Sequence, residues 1–157
     1  MKTLPILNSV KVALVDNEDY ERLKEFQWGL CGGGYASSGQ TRDGTHVLLH
    51  HCILRASPGE EIDHIDRNLL NNQRSNLRSV TRGFNVQNRP QLNNTSGFKG
   101  VSWHVQRATW RAQTKFKGKV YHLGLFDTPQ LAAEAYDRKV LALFGPDALT
   151  NKKLNLL

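Results

Sequence analysis

The sequence predicts an α+β fold in two modules, and three observations carry that prediction. Short β-prone runs alternate with turn formers over residues 1–80. Three longer β-prone runs crowd into 98–126, and one helix with clear start and stop signals follows them. At 157 residues the chain has room for one ordinary domain or two small ones.

In chain order, Val10-Lys11-Val12-Ala13-Leu14-Val15 is β-prone and stops at Asp16-Asn17, either of which can cap a short helix over Glu18 to Phe26. Strands are expected at Trp28 to Cys31, Gly34 to Ala36 and His46 to Leu54. The Gly32-Gly33-Gly34 cluster and an Arg42-Asp43-Gly44 turn separate them. Glu61 to Asp66 favours a strand, Arg67 to Ser75 is an Asn-rich loop, and Asn76 to Val80 alternates as a second strand. Thr81 can then cap a helix through Phe84, Asn85 and Asn88. Two antiparallel strands and a helix make a compact cradle. Residues 89–97 are rich in turn formers and have no period, so they form the expected linker. The modules are therefore 1–92, with its motif at 49–88, and 97–157.

Charge separates the same two parts. Residues 1–93 hold 11 Lys+Arg against 10 Asp+Glu, and residues 94–157 hold 10 against 4. A basic module joined to a nearly neutral one with acidic clusters suits a protein that holds a polyanion with one part and acts on it with the other. Cys31 and Cys52 lack paired C-x-x-C spacing, so a structural zinc site is not expected; they read as free thiols of a reducing compartment. The N-terminal apolar residues are broken by Asn8, Ser9 and Lys11, too soon for a signal peptide or membrane span. A soluble cytoplasmic protein with no membrane partner is expected.

The chemistry concentrates in Glu61-Ile62-Asp63-His64-Ile65-Asp66-Arg67-Asn68, followed by Asn76-Leu77-Arg78 and Asn85. Cleaving a phosphodiester needs an activated water, charge neutralisation on phosphorus and stabilisation of the leaving oxygen. His64, whose type titrates near about 6.5, suits the first task. Asp63 and the amide oxygen of Asn85 are hard ligands for one divalent cation such as Mg²⁺, which keeps positions open for water and phosphate. Asn76 can face back and bond the loop or the imidazole. Adjacent residues of a strand point to opposite faces, so Asp63 and His64 can share a site only where the strand ends, bulges or twists. Asp66 and Asn68 are expected to shape the loop. His50 and His51 suit a packed structural role as well as a place at the site.

At these residues the sequence resembles the HNH endonucleases, in particular the phage and intron-encoded homing type in which the motif's last histidine is asparagine. His64 matches the first member, Asn76 the central asparagine and Asn85 the substituted third. The resemblance implies a ββα-metal fold, His64 as general base, and Asp63 with Asn85 on a single divalent ion.

In the second module Phe98 to Val105, Trp110 to Phe116 and Val120 to Phe126 are the three β-prone runs. In the middle one Trp110, Ala112, Thr114 and Phe116 point one way, while Arg111, Gln113 and Lys115 point the other. Pro129 opens a helix through Phe144 and Gly145 ends it, with Ala132, Ala135, Tyr136, Val140 and Leu143 as its apolar stripe. A three-stranded antiparallel sheet backed by one helix leaves a polar face free for the major groove of duplex DNA. Arg111, Gln113 and His122 could reach base edges there. Lys99-Gly100-Val101, Trp110-Arg111-Ala112, His122 to Thr128 and Ala132 to Asp137 resemble the APETALA/ethylene-response-factor DNA-binding domain over about 97–151. By position, the resemblance implies DNA contacts from Lys99, Ser102, His104, Gln113, Lys115 and His122.

The sequence thus points to a metal-dependent DNA endonuclease of the HNH homing type, a monomer or weak dimer whose single active site per chain nicks. The rivals are a DNA-binding regulator with an inactive HNH module and an RNA-binding protein.

Overall fold

A computed structural model of the protein describes residues 1–39, 46–90 and 93–157. Within them the chain forms two units, Met1–Arg82 and Gly83–Leu157.

The run at Val12 finds a partner that propensity did not indicate. Lys2–Pro5 (β1) pairs antiparallel with Val12–Val15 (β2), Leu4 opposite Ala13, and Leu4, Ala13 and Val15 enter the first unit's core. Asn17–Leu23 (α1) follows, shorter than expected. Asp16 stands at its N-cap but makes no capping bond. Its carboxylate instead accepts from Gln73 Nε2 (3.1 Å) and from the Arg74 N–H (2.8 Å), so tertiary partners displace the local cap. Asp19, on the helix, accepts from Arg74 Nε (2.8 Å) and also pairs with Arg22.

Gly29–Leu30 (β3), Ala36–Ser38 (β4) and Val47–Leu48 (β5) form a three-stranded sheet in chain order. The Arg42-Asp43-Gly44 turn lies outside the described residues. The strand expected over His46 to Leu54 is corrected: after two residues of strand the chain turns into the helix Leu49–Ile53 (α2). Leu49 and Ile53 are four apart and both buried, which a helix achieves on one face; a short apolar run does not by itself distinguish the two periods.

Glu60–His64 (β6) and Leu77–Thr81 (β7) pair antiparallel, from Glu60 opposite Thr81 to His64 opposite Leu77. Ile62 and Leu77 join the same core. The helix Arg82–Gln87 (α3) comes next in the chain. Most of it belongs to the second unit, where Gln87 Nε2 donates to the Leu149 carbonyl (2.8 Å) and Gln87 Oε1 accepts from the Leu149 N–H (3.2 Å). The sequence division at 92 placed these residues with the first module. Within the expected linker, residues 91 and 92 lie outside the described residues.

In the second unit Val101–His104 (β8), Thr109–Phe116 (β9) and Lys119–Phe126 (β10) form an antiparallel sheet in that order. Pro129–Phe144 (α4) packs on one side of it. Thr128 caps that helix by accepting from the Leu131 N–H (3.3 Å), and Gly145 ends it at a positive φ of 83°. Val101, Ala112, Ala132 and Ala133 are the buried centre of this contact, flanked by Trp110, Leu123 and Phe126. Small residues on both layers let helix and sheet approach closely. Gly100 takes this furthest: it has φ +75°, and a Cβ there would lie 2.0 Å from the Tyr136 ring. No helix among the described residues is long and apolar enough to cross a membrane.

Candidate active site and nucleic-acid face

Strand β6 delivers Ile62 and His64 to the core side, by the alternation of a strand, and Asp63 to the other. His64 is 2% exposed. Its ring lies 5.2 Å from that of His50, nearly perpendicular to it, and 6.1 Å from Tyr35. Its Nε2 lies 3.2 Å from Asn72 Oδ1. Burial pushes the His64 pKa down, against the opposing pull of Asn72, Asp63 and Asp66, so the imidazole is neutral near pH 7. A neutral imidazole is the form that can take a proton from water.

Asp63 is buried at 8% exposure and faces its cross-strand neighbour Arg78, whose Nη2 and Nε lie 2.9 and 3.0 Å from Oδ2. Strand β6 ends at His64. Asn76 lies in the short 3₁₀ turn before β7. Its Nδ2 donates to Asp66 Oδ1 (2.8 Å) and to the Asn71 carbonyl (2.7 Å), and its Oδ1 accepts from the Asp66 N–H (2.9 Å). Of the two roles open to Asn76, it takes the loop and not the imidazole. Asp66 also accepts from the Asn68 N–H (2.8 Å) and Asn71 Nδ2 (2.7 Å). Burial raises the Asp66 carboxyl, but the bonds from Asn71, Asn68 and Asn76 outweigh it and hold it below the ordinary carboxylate range. Asn85 sits half-buried on α3, in the second unit.

One residue beside the base, Asn72, escaped the sequence reading, which leaves another, His50, open between a structural role and a place at the site. Asn72, fully buried at 0% exposure, holds the imidazole, yet in an Asn-rich loop nothing marks one amide as the inward one. His50 is buried against Tyr35, His51 and His64, and its pKa falls to about 3, from burial first and then from the neighbouring histidines. Among the described residues no three His, Cys, Asp or Glu side chains gather as a metal cluster. Cys31 and Cys52 are free and half-buried.

The second unit presents the expected polar face. Ser102 lies opposite Arg111, His104 opposite Thr109, Gln113 opposite His122 and Lys115 opposite Val120, so six of the seven expected DNA-contact residues share one side of the sheet. Arg111 Nη2 donates to Ser102 Oγ (3.3 Å). Lys99 is the exception: it is 4% exposed, its ammonium donates to the Arg89 carbonyl (2.5 Å), and burial lowers its pKa to about 8. Its backbone is fixed by Asn151, which accepts from the Lys99 N–H (2.7 Å), and this directs the side chain inward. Lys99, Ser102, Gln113 and Lys115 are among the residues that line a cleft of about 490 Å³.

Comparison with known proteins bears on both units. Residues 45–87 match the family model described as HNH endonuclease. An uncharacterized HNH endonuclease of Acanthamoeba polyphaga mimivirus is 28% identical over 145 residues, covering 89% of this chain and 74% of that protein. Protein 3.8 of Escherichia phage T7 is 38% identical over 79 residues, covering half of this chain and 65% of its own length. APETALA2-like protein 2 of Oryza sativa is 44% identical over 59 residues, 36% of this chain but only 13% of the rice protein. No solved structure matches the chain significantly. Residues 45–87 are thus similar to the HNH endonuclease domain, and this similarity, shared with a relative named as an HNH endonuclease, supports a nuclease enzyme.

Proposed function

We propose that this nuclease is a divalent-metal-dependent DNA endonuclease of the homing type, with residues 1–92 as its catalytic module and 97–157 as an APETALA-type domain that docks on duplex DNA. The observation that carries the reading is a buried, neutral His64 at the end of β6, immediately after a buried carboxylate, inside the segment that matches the HNH family.

The donor chemistry fits one hard cation. Within the first unit, Asp63 would hold it. A carboxylate offers about four lone-pair directions across two oxygens, so the guanidinium of Arg78 on Oδ2 is compatible with a metal ligand. A site with few protein ligands suits Mg²⁺, which retains water. When bound, such an ion neutralises charge on the phosphate and stabilises the leaving oxygen. His64 takes a proton from water, the resulting oxygen bonds to phosphorus, and the P–O bond to the 3′ oxygen breaks. Asn76 and Asp66 keep the loop in shape around this point. One site per chain cuts one strand, so a monomer, or a weak dimer acting through one site, nicks. Viral and phage relatives suit a protein working in the cytoplasm of a bacterial or phage-infected cell.

The docking role is supported by the basic balance of residues 94–157 and by six polar side chains on one sheet face. Incubating supercoiled plasmid with the protein and Mg²⁺ tests the reading. Wild type should give open circles, EDTA should stop the reaction, and His64→Ala should lower the rate about 10²–10⁴-fold with DNA binding retained. Persistent supercoil with wild type, alongside intact binding, would sink the hydrolytic reading and leave a DNA-binding regulator.

A further inference from the structure

We infer that Asn72, rather than the motif's central Asn76, is the positioning residue that sets the tautomer of His64, and that strand β2 holds it in place to do so. The inference deepens the nuclease reading and rests on that reading only where cleavage is measured.

A neutral imidazole carries one N–H and one lone pair, and its neighbours decide which nitrogen has which. His64 Nε2 lies 3.2 Å from Asn72 Oδ1, with both residues buried. An amide oxygen only accepts, so the hydrogen sits on Nε2. The amide cannot simply be reversed, because Asn72 Nδ2 faces the Leu69 carbonyl at 3.5 Å; exchange would set two oxygens against each other. With Nε2 protonated, Nδ1 carries the lone pair and is the atom that accepts a proton from water. His50 and Tyr35 flank the ring and restrict its rotation.

Asn72 is itself held by main chain. Its N–H donates to the Leu14 carbonyl (2.8 Å), and the Leu14 N–H donates to the Leu70 carbonyl (2.7 Å). Leu14 and Asn71 thereby form a parallel bridge. Gln73 and Arg74, the next two residues, bond Asp16. Residues 14–16 and 70–74 thus make one bracket, half of which lies outside the segment matching the family. Asn76 is engaged with Asp66 and Asn71, which shapes the loop but leaves the tautomer to Asn72.

The test is a two-bond ¹H–¹⁵N correlation spectrum of the whole, ¹⁵N-histidine-labelled protein near pH 7. His64 should show a protonated Nε2 and an unprotonated Nδ1; the reverse assignment overturns the inference without any cleavage assay. Asn72→Leu, of similar size, removes the acceptor and should give mixed tautomers and a kcat about 10–100-fold lower at unchanged KM. An Asn72→Leu protein with wild-type signature and kcat also overturns it. If that variant fails to fold, the wild-type spectrum still decides. A wild type that shows the expected tautomer but cuts nothing would instead defeat the nuclease reading alone.

Discussion

Around His64 the polar side chains bond one another: Asn72 to the imidazole, Asn76 to Asp66 and Asn71, Asp63 to Arg78. On the face of β8 and β9, by contrast, His104 Nδ1, Thr109 Oγ1 and Arg111 Nε are buried atoms with no partner. The first arrangement is closed. Groups aimed at a reacting centre act best when their orientation is fixed in advance, since no reorganisation is then needed at the moment of reaction. The second arrangement is open. An unpartnered buried polar atom costs free energy in the free protein, and that cost is relieved when a ligand supplies the missing donor or acceptor. If the proposed reading holds, the chain fixes polar geometry at the reacting centre and leaves it unfilled on the docking face.

The sharpest way to break the comparison is to disturb the support of the open face while leaving the closed site's residues untouched. Gly100→Ala does this. The new methyl would sit 2.0–2.2 Å from two carbons of the Tyr136 ring, on a backbone at φ +75° that L residues rarely adopt. Overpacking and backbone strain each cost about 1–3 kcal/mol, so a loss of roughly 3 kcal/mol or more is expected. Urea unfolding followed by tryptophan fluorescence reports it, because Trp103 and Trp110 meet edge to face across the sheet at 4.9 Å. DNA affinity should fall with it. An unchanged midpoint would mean that helix and sheet are not packed as closely as described.

Legibility follows the same division. The helix Pro129–Phe144 matched its sequence signals at both ends, because Pro129, the Thr128 cap and Gly145 are local devices. Strands β9 and β10 were equally plain, since alternation shows wherever one face is buried and the other exposed. Asp63 and His64 drew notice in the sequence because they stand in one contiguous run, and both prove to be buried. Strand β1 was not, as it is stabilised by pairing with β2 and not by its own composition. Helix α2 was mistaken for strand because Leu49 and Ile53 reveal their helical spacing only once the core is known. Lys99 entered the expected DNA contacts by its position in the resemblance, and nothing local announces that the Arg89 carbonyl receives its ammonium in the free protein. Asn72 depends on a bond to Leu14, nearly sixty residues earlier, which no local pattern can reveal.

A smaller effect probes the closed site through pH. The folded pKa of His50 is about 3, far below the unfolded value near 6.5, so the folded state binds fewer protons. Its contribution to stability is complete above about pH 6.5 and is lost progressively as pH falls toward 3. The depressed His64 acts in the same direction. Between pH 6.5 and 4.5 the His50 share amounts to about 2 kcal/mol. His50→Phe keeps an aromatic ring against Tyr35 but cannot titrate, so its unfolding free energy should decline less over this range than that of wild type. Equal acid losses in the two proteins would show that His50 is not held neutral by burial.

The smallest effect sharpens the comparison within the second unit itself, between two lysines expected to serve alike. Lys115 is exposed on the polar face, whereas Lys99 is turned inward onto Arg89. Each cation that neutralises a phosphate releases counterions and adds about 0.9 to the slope of log affinity against log salt. Lys115→Ala should therefore reduce that slope by about 1 on duplex DNA, uniformly across sequences. Lys99→Ala should leave the slope unchanged. It should act on stability instead, because an alanine removes the buried ammonium together with its bond to Arg89. Fluorescence anisotropy titrations of both variants from low to moderate salt read the two slopes directly. Equal reductions would mean that Lys99 swings outward to meet a phosphate when DNA arrives, and that its buried position belongs to the free protein alone.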